Sequence, residues 1–245
     1  MFDFTGMRIV VAGGSSGIGL AAAELLDQLG AAVVVAGRDP AKLEAARARL
    51  GARAEAVAFD AVDPEQRRSG LARIGALDHL VVCLSGAKGG GPFADLDLAN
   101  LRAGFEAKFW PHAALLHESL PRLAPAGSIT LVSAISARAA NPGTAGLSAI
   151  NAAIEGLVRP LAVELRPRRI NAVSPGVVDT PWWNWLPEPA KAETFAQFAA
   201  ATPAGRVGTP RDIAQAIAFL VGNTFMTGAV IECDGGLRLA GGKKL

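Results

Sequence analysis

Tyrosine is absent from all 245 residues, which removes the phenol from the groups able to move a proton here. The only two cysteines, Cys83 and Cys233, are too few for a disulfide framework and are not spaced for a metal site. A reducing compartment fits that usage. Three histidines add no metal pattern, since His112 and His117 stand five apart and His79 is remote from both. Charged or turn residues interrupt every apolar run before it reaches bilayer length, and no secretory leader precedes the first apolar run. No membrane partner and a cytoplasmic location are therefore expected. Blocks of like charge are missing too: 24 basic and 22 acidic side chains leave a net +2, spread along the chain. Although the pI is near 8.7, no basic face for nucleic acid is expected.

What is present begins with a strand, a glycine loop, a helix and a second strand. Arg8–Ala12 (RIVVA) is a β-branched apolar run of strand length. GGSSGIG comes next, and Leu20–Gly30 then has helical spacing with a glycine stop. Residues 31–37 (AAVVVAG) read as a second buried strand. A glycine loop between strand and helix lets backbone approach a pyrophosphate, whose charge meets the free N–H groups and positive end of the helix. The spacing Gly13-xxx-Gly17-x-Gly19 is one residue wider at the front than the usual dinucleotide fingerprint. Its position between two buried strands favours a dinucleotide site over a plain turn, with Gly13, Ser15, Ser16, Gly17 and Gly19 as the contacts.

Downstream, strand and helix patterns alternate to the end, and a hydrophobic fraction of 51% supplies a core for one α/β domain spanning residues 1–245. Gly37 occupies the position where an acidic residue would grip a ribose 2′-hydroxyl, and Arg38 is next in the chain. A 2′-phosphate is thereby admitted and can be paired, which points to NADP(H); alternatively Arg38 is a solvated loop charge. Asp60 ends a third strand (54–60), where it either bonds an adenine amino group or caps the segment after it. Strands are expected at 78–84, 128–134, 169–175 and within 227–236, and a flexible loop SGAKGGGPF after the fourth should border the ligand. Residues 96–124 read as one long helix bent at Pro111, and 143–165 as a second. A mobile-looking stretch rich in Trp, Pro and Ala runs to Gly208.

Four blocks in this order, AGGSSGIG at 12–19, Asp60, VSPGVVDTP at 173–181 and TGAVIECDGG at 227–236, resemble the short-chain dehydrogenase/reductase family over nearly the whole chain. The resemblance implies a Rossmann-type, doubly wound parallel sheet of seven strands that binds a nicotinamide dinucleotide. It places Ile18 against the cofactor, and Pro175, Gly176, Val178 and Thr180 around the nicotinamide, with a substrate lid over about 180–208. It further implies a homodimer or homotetramer packed through the two long helices.

The same resemblance exposes a departure. The family's chemistry rests on an Asn, a Ser and a Tyr with a Lys four residues later. Here Leu147 stands at the Tyr position, Asn151 at the Lys position and Ala134 at the Ser position, with Ser133 one place earlier. Lys108 lies where the Asn is expected, so Asn and Lys have exchanged places and should face each other across two helices. On this reading Lys108, Ser133 and Asn151 are the catalytic candidates, and Asn151 also bonds the nicotinamide ribose. The plainer reading has Lys108 snorkelling to solvent and Asn151 satisfying backbone.

Hydride transfer belongs to the cofactor, while the protein orients it and stabilises charge. Without the phenol, a small carbonyl needs a substitute donor such as Lys108, Ser133 or Ser136, with His112 a weaker candidate; a protonated imine needs none at that step. Leu147, Trp182 and Trp183 are expected to line the substrate pocket, the indoles forming a wall that attracts cations or simply packing the lid with Trp185. The leading expectation is an atypical NADP(H)-dependent oxidoreductase acting on a small carbonyl or imine, with no metal. The rivals are a non-catalytic NADP(H)-binding sensor or scaffold and a cofactor-free lyase or isomerase.

Overall fold

The computed structural model describes residues 2–240. Seven parallel strands form one sheet in the order β3-β2-β1-β4-β5-β6-β7: β1 (Arg8–Ala12), β2 (Ala32–Gly37), β3 (Glu55–Ala58), β4 (Leu77–Val82), β5 (Leu123–Val132), β6 (Arg169–Pro175) and β7 (Val230–Cys233). Parallel strands need crossovers, and here helices cover both faces, so strand interiors are apolar on both sides. One face buries Ile9, Val11, Val33 and Val35 against α1 (Gly17–Gln28) and α8 (Pro210–Gly222). The other buries Val10, Leu80, Ile129 and Leu131 against α3 (Pro64–Ile74), α5 (Trp110–Ser119) and α6 (Ala145–Glu164). The remaining helices are α2 (Pro40–Arg47), α4 (Leu98–Gly104) and α7 (Ala190–Ala201). The strand order reverses between β1 and β4, and the crevice at their carboxyl ends is where such sheets take ligands.

Three sequence expectations are corrected. Residues 96–124 are not one helix: α4 passes through a π-helical segment, Phe105–Phe109, into α5, which ends at Ser119, and β5 begins at Leu123. Pro111 has no N–H for the carbonyl of Ala107, so the disturbance it causes is a widened turn beside Lys108. The first helix starts inside the glycine loop at Gly17, three residues before the apolar periodicity does. The stretch to Gly208 holds a short 3₁₀ turn at Pro181–Trp185 and the twelve-residue helix α7.

Far from the crevice, buried Arg169 ties the sheet to α8. Its guanidinium donates to the carbonyls of Leu220, Val221, Asn223 and Met226 at 2.7–3.2 Å, so the end of that helix is satisfied by a side chain from β6. Among the described residues no helix is long and apolar enough to cross a membrane, and no cluster of His, Cys, Asp or Glu is arranged to hold a metal.

Candidate functional site

A cleft of about 900 Å³ opens at the carboxyl ends of the strands, within the range of small-molecule and cofactor sites. The helix α1 enters it with its first N–H groups uncapped by any side chain. α2, α3, α4 and α8 are capped by Asp39, Asp63, Asp97 and Thr209, whereas α6 and α7, like α1, have no side-chain cap. The uncapped end of α1 faces a site where an anion's oxygens would supply the missing acceptors. Gly13 makes the approach possible: its φ is +81°, and an added Cβ would stand 2.6 Å from the carbonyl oxygen of Cys83. Ser15, Ser16, Gly17, Ile18 and Gly19 line the same wall.

At the other side of the loop, Gly37 closes β2, where an added Cβ would make only ordinary contacts with Leu43 and Ser15. Exposed Arg38 lines the cleft and has no ion-pair partner among the described residues. Lys42, which the residue pattern alone does not single out, lines it too, one helical turn on and only loosely paired with Asp39 at 3.9 Å. Asp60 also lines the cleft, while its Oδ1 accepts from Val62 N at 2.9 Å. It therefore fixes a local turn, and the next helix, α3, is capped by Asp63.

Lys108 and Asn151 meet at the opposite end. The buried Lys108 Nζ donates to Asn151 Oδ1 at 2.7 Å and to the carbonyl of Ser133 at 3.3 Å, so it does not snorkel away. Asn151 spends both Nδ2 hydrogens on the carbonyl of Leu147 and on Ser136 Oγ, at 2.9 and 3.0 Å. What it has left for a ribose is one lone pair on Oδ1, not a donor. Ser133 is occupied: its hydroxyl donates to Glu155 Oε1 at 2.8 Å, and Arg138 holds the other oxygen of that carboxylate. Ser136 is the freer hydroxyl, lining the cleft with no acceptor for its own proton among the described residues. Ala134 and Leu147 line the cleft as apolar wall.

Burial draws the Lys108 amine down from its ordinary 10.5 to about 8, opposed weakly by Cys83. Burial likewise pushes the Cys83 thiol up to about 12, which makes it inert as a nucleophile. His112 is fully buried, donates from Nδ1 to the Lys108 carbonyl at 2.7 Å, and is kept neutral, down at about 3, by burial and by the Lys108 charge. It is therefore not an acid near neutrality, and its bond instead braces the widened turn. The Lys108 shift has a stability signature. Between pH 8 and 10.5 the unfolded chain keeps a proton on this lysine that the folded chain has lost, so its contribution to stability rises with pH across that window. Relative to Lys108→Met, the wild type should gain up to about 3 kcal/mol in denaturant melts over the window. A pH-independent difference between the two would mean that the amine is not desolvated.

Pro175, Gly176, Val178 and Thr180 run from β6 along the cleft floor. Trp182 and Trp183 line it as well, whereas Trp185 is exposed outside it. Trp183 packs edge-on against Phe195 of α7 and anchors its Nε1 on the Val178 carbonyl at 3.1 Å, and Trp182 stacks edge-on against it at 4.8 Å.

Known proteins share this architecture. A family model described as enoyl-(acyl carrier protein) reductase matches residues 12–238. An NADPH-bound short-chain oxidoreductase from Pseudomonas aeruginosa PAO1, described as containing an atypical catalytic center, is 33% identical with a TM-score of 0.89, over 97% of this chain and 98% of that one. A small-chain dehydrogenase solved with NADPH is 31% identical with a TM-score of 0.83, over 97% and 100%. Among curated relatives, a 3-oxoacyl-(acyl-carrier-protein) reductase from Thermotoga maritima is 39% identical over 115 residues, 45% of each chain. The chain spans about half the length of the curated relatives it matches first.

Proposed function

This chain belongs to the short-chain dehydrogenase/reductase family, and we propose that it is an NADP(H)-dependent oxidoreductase that reduces a small carbonyl compound with Lys108 as the acid. The carrying observation is the Lys108 ammonium itself. It is buried at the cleft end and held by Asn151 Oδ1 and the Ser133 carbonyl. An ammonium has three donors, so two such bonds leave one for a carbonyl oxygen. When bound, the nicotinamide cofactor supplies the hydride. Lys108 then stabilises the oxygen as charge develops on it and passes it a proton, for which an amine near pH 8 is well matched. Asn151 fixes the ammonium in place, and Ser136 is a second group within the cleft able to donate.

The cofactor preference rests on Gly37, Arg38 and Lys42, and two similar structures hold NADPH. Pro175, Gly176, Val178 and Thr180 border the nicotinamide, Ile18 the pyrophosphate side, and Asp60 the adenine. Residues 180–208 act as the substrate lid, with Trp182 and Trp183 as its inner wall. A protonated imine fits this site less well than a carbonyl, because it would bring a second positive charge to the Lys108 ammonium. The assembly inferred is a homo-oligomer packed through α5 and α6, which present the exposed apolar side chains of Trp110 and Val163. Consumption of NADPH against a panel of aryl ketones, alicyclic ketones and cyclic imines tests the reading. Ketones should be reduced faster than imines, and NADPH should serve faster than NADH; tight NADPH binding with no turnover of any of them would make the protein a sensor instead.

A further inference from the structure

The ionisable groups around the cleft are distributed unevenly. The one lining carboxylate among the described residues, Asp60, lies just beyond β3, three strands along the sheet from β4, or roughly 14 Å at ordinary strand spacing. The loop after β4 carries Lys88, which lines the cleft and has no carboxylate partner among the described residues. Its neighbours place it at the Lys108 end. An added Cβ on Gly86 would touch Ala107 and Lys108 at 3.7 Å, and one on Gly90 would touch Leu147 at 3.5 Å. Among the described residues the substrate end thus has two ammonium groups, no carboxylate, and an apolar wall that includes Leu147, Trp182, Trp183 and Phe198.

Lys108 is committed to the reacting oxygen in the proposed reduction, on which this inference rests; Lys88 is not. We propose that the substrate is an apolar, ring-sized carbonyl compound bearing a carboxylate, and that Lys88 receives the carboxylate. A cation is repelled by both lysines, and a neutral substrate leaves Lys88, exposed at the cleft wall, paired only with water. An anion remote from the carbonyl satisfies Lys88 without competing for Lys108. Lys88 is therefore a specificity residue, not a catalytic one.

Calorimetric titration of the NADP⁺-loaded protein with para-acetylbenzoate, its methyl ester and para-acetylphenyl phosphate tests this. The acid should bind about three- to fivefold more tightly than the ester, the scale of an exposed ion pair. Lys88→Gln should erase that preference while leaving ester affinity unchanged, and Lys88→Arg should keep it. Equal affinity for acid and ester, a preference that survives Lys88→Gln, or selection of the phosphate over the carboxylate would overturn it. Turnover separates the two ideas. Equal reduction of acid and ester sinks the anion site and leaves the reductase, whereas selective binding without reduction supports the anion site and sinks the reductase.

Discussion

Replacing Lys108 with methionine should lower kcat/KM for ketone reduction by about a hundred- to ten-thousandfold, the range for removal of a positioned general acid, while NADPH affinity changes by no more than a few-fold. The asymmetry arises from where Lys108 sits. It reaches Asn151 and the end of β5, whereas Arg38 and Asp60, which follow β2 and β3, lie on the far side of β1 from it. Lys108→Arg separates charge from proton transfer, because a guanidinium keeps the positive charge but does not give up a proton near neutrality. If charge alone matters, arginine should restore most of the rate; if the proton matters, it should restore little. Asn151→Ala should fall between, because it frees the ammonium from its shortest bond without removing it. Full activity in Lys108→Met would move the acid to Ser136 or leave hydride transfer uncoupled from any side chain.

The second large effect is expected at the opposite end. Arg38→Asp should weaken NADPH binding roughly a hundredfold and leave NADH binding equal or improved, inverting the preference. A charge-assisted bond to a phosphate contributes about 1.5–3 kcal/mol, and a carboxylate adds repulsion in its place. It would also restore the acidic side chain that grips a ribose 2′-hydroxyl, one residue past its usual place at Gly37. Lys42→Ala, at a longer reach and partly satisfied by Asp39, should cost only a few-fold. Thermal shifts with each cofactor measure both, since a ligand that binds only the folded chain raises the melting temperature with its affinity. Equal shifts with NADPH and NADH in the wild type would leave Arg38 a solvated surface charge.

The contrast between these ends explains what was readable from the residues. The sheet was legible because parallel strands buried on both faces need unbroken apolar runs, and RIVVA and AVVVAG allow little else. The glycine loop was legible because only glycine tolerates backbone as close as that of Cys83 to Gly13. That Lys108 and Asn151 would face one another came from their helix positions, and they lie 2.7 Å apart. The roles of the two serines were not legible in the same way. Ser133 and Ser136 are three residues apart, and which hydroxyl stays free depends on Glu155 and Arg138, brought in by α6 and the turn after β5. Lys42 and Lys88 were missed because a lone lysine on a helix or loop looks like any solvated charge until the cleft wall is seen. The helix in residues 190–201 was hidden by the prolines and tryptophans before it, and its apolar side chains are only partly buried.

The claim that an amine has taken over from the absent phenol is tested most directly by the pH dependence of kcat/KM in both directions. A lysine near 8 must be protonated to serve reduction and neutral to serve alcohol oxidation. Reduction should therefore fall, and oxidation rise, through the same point near pH 8, with both inflections lost in Lys108→Met. Profiles that stay flat from about pH 6 to 10 in the wild type, or inflections that persist in the variant, would contradict it.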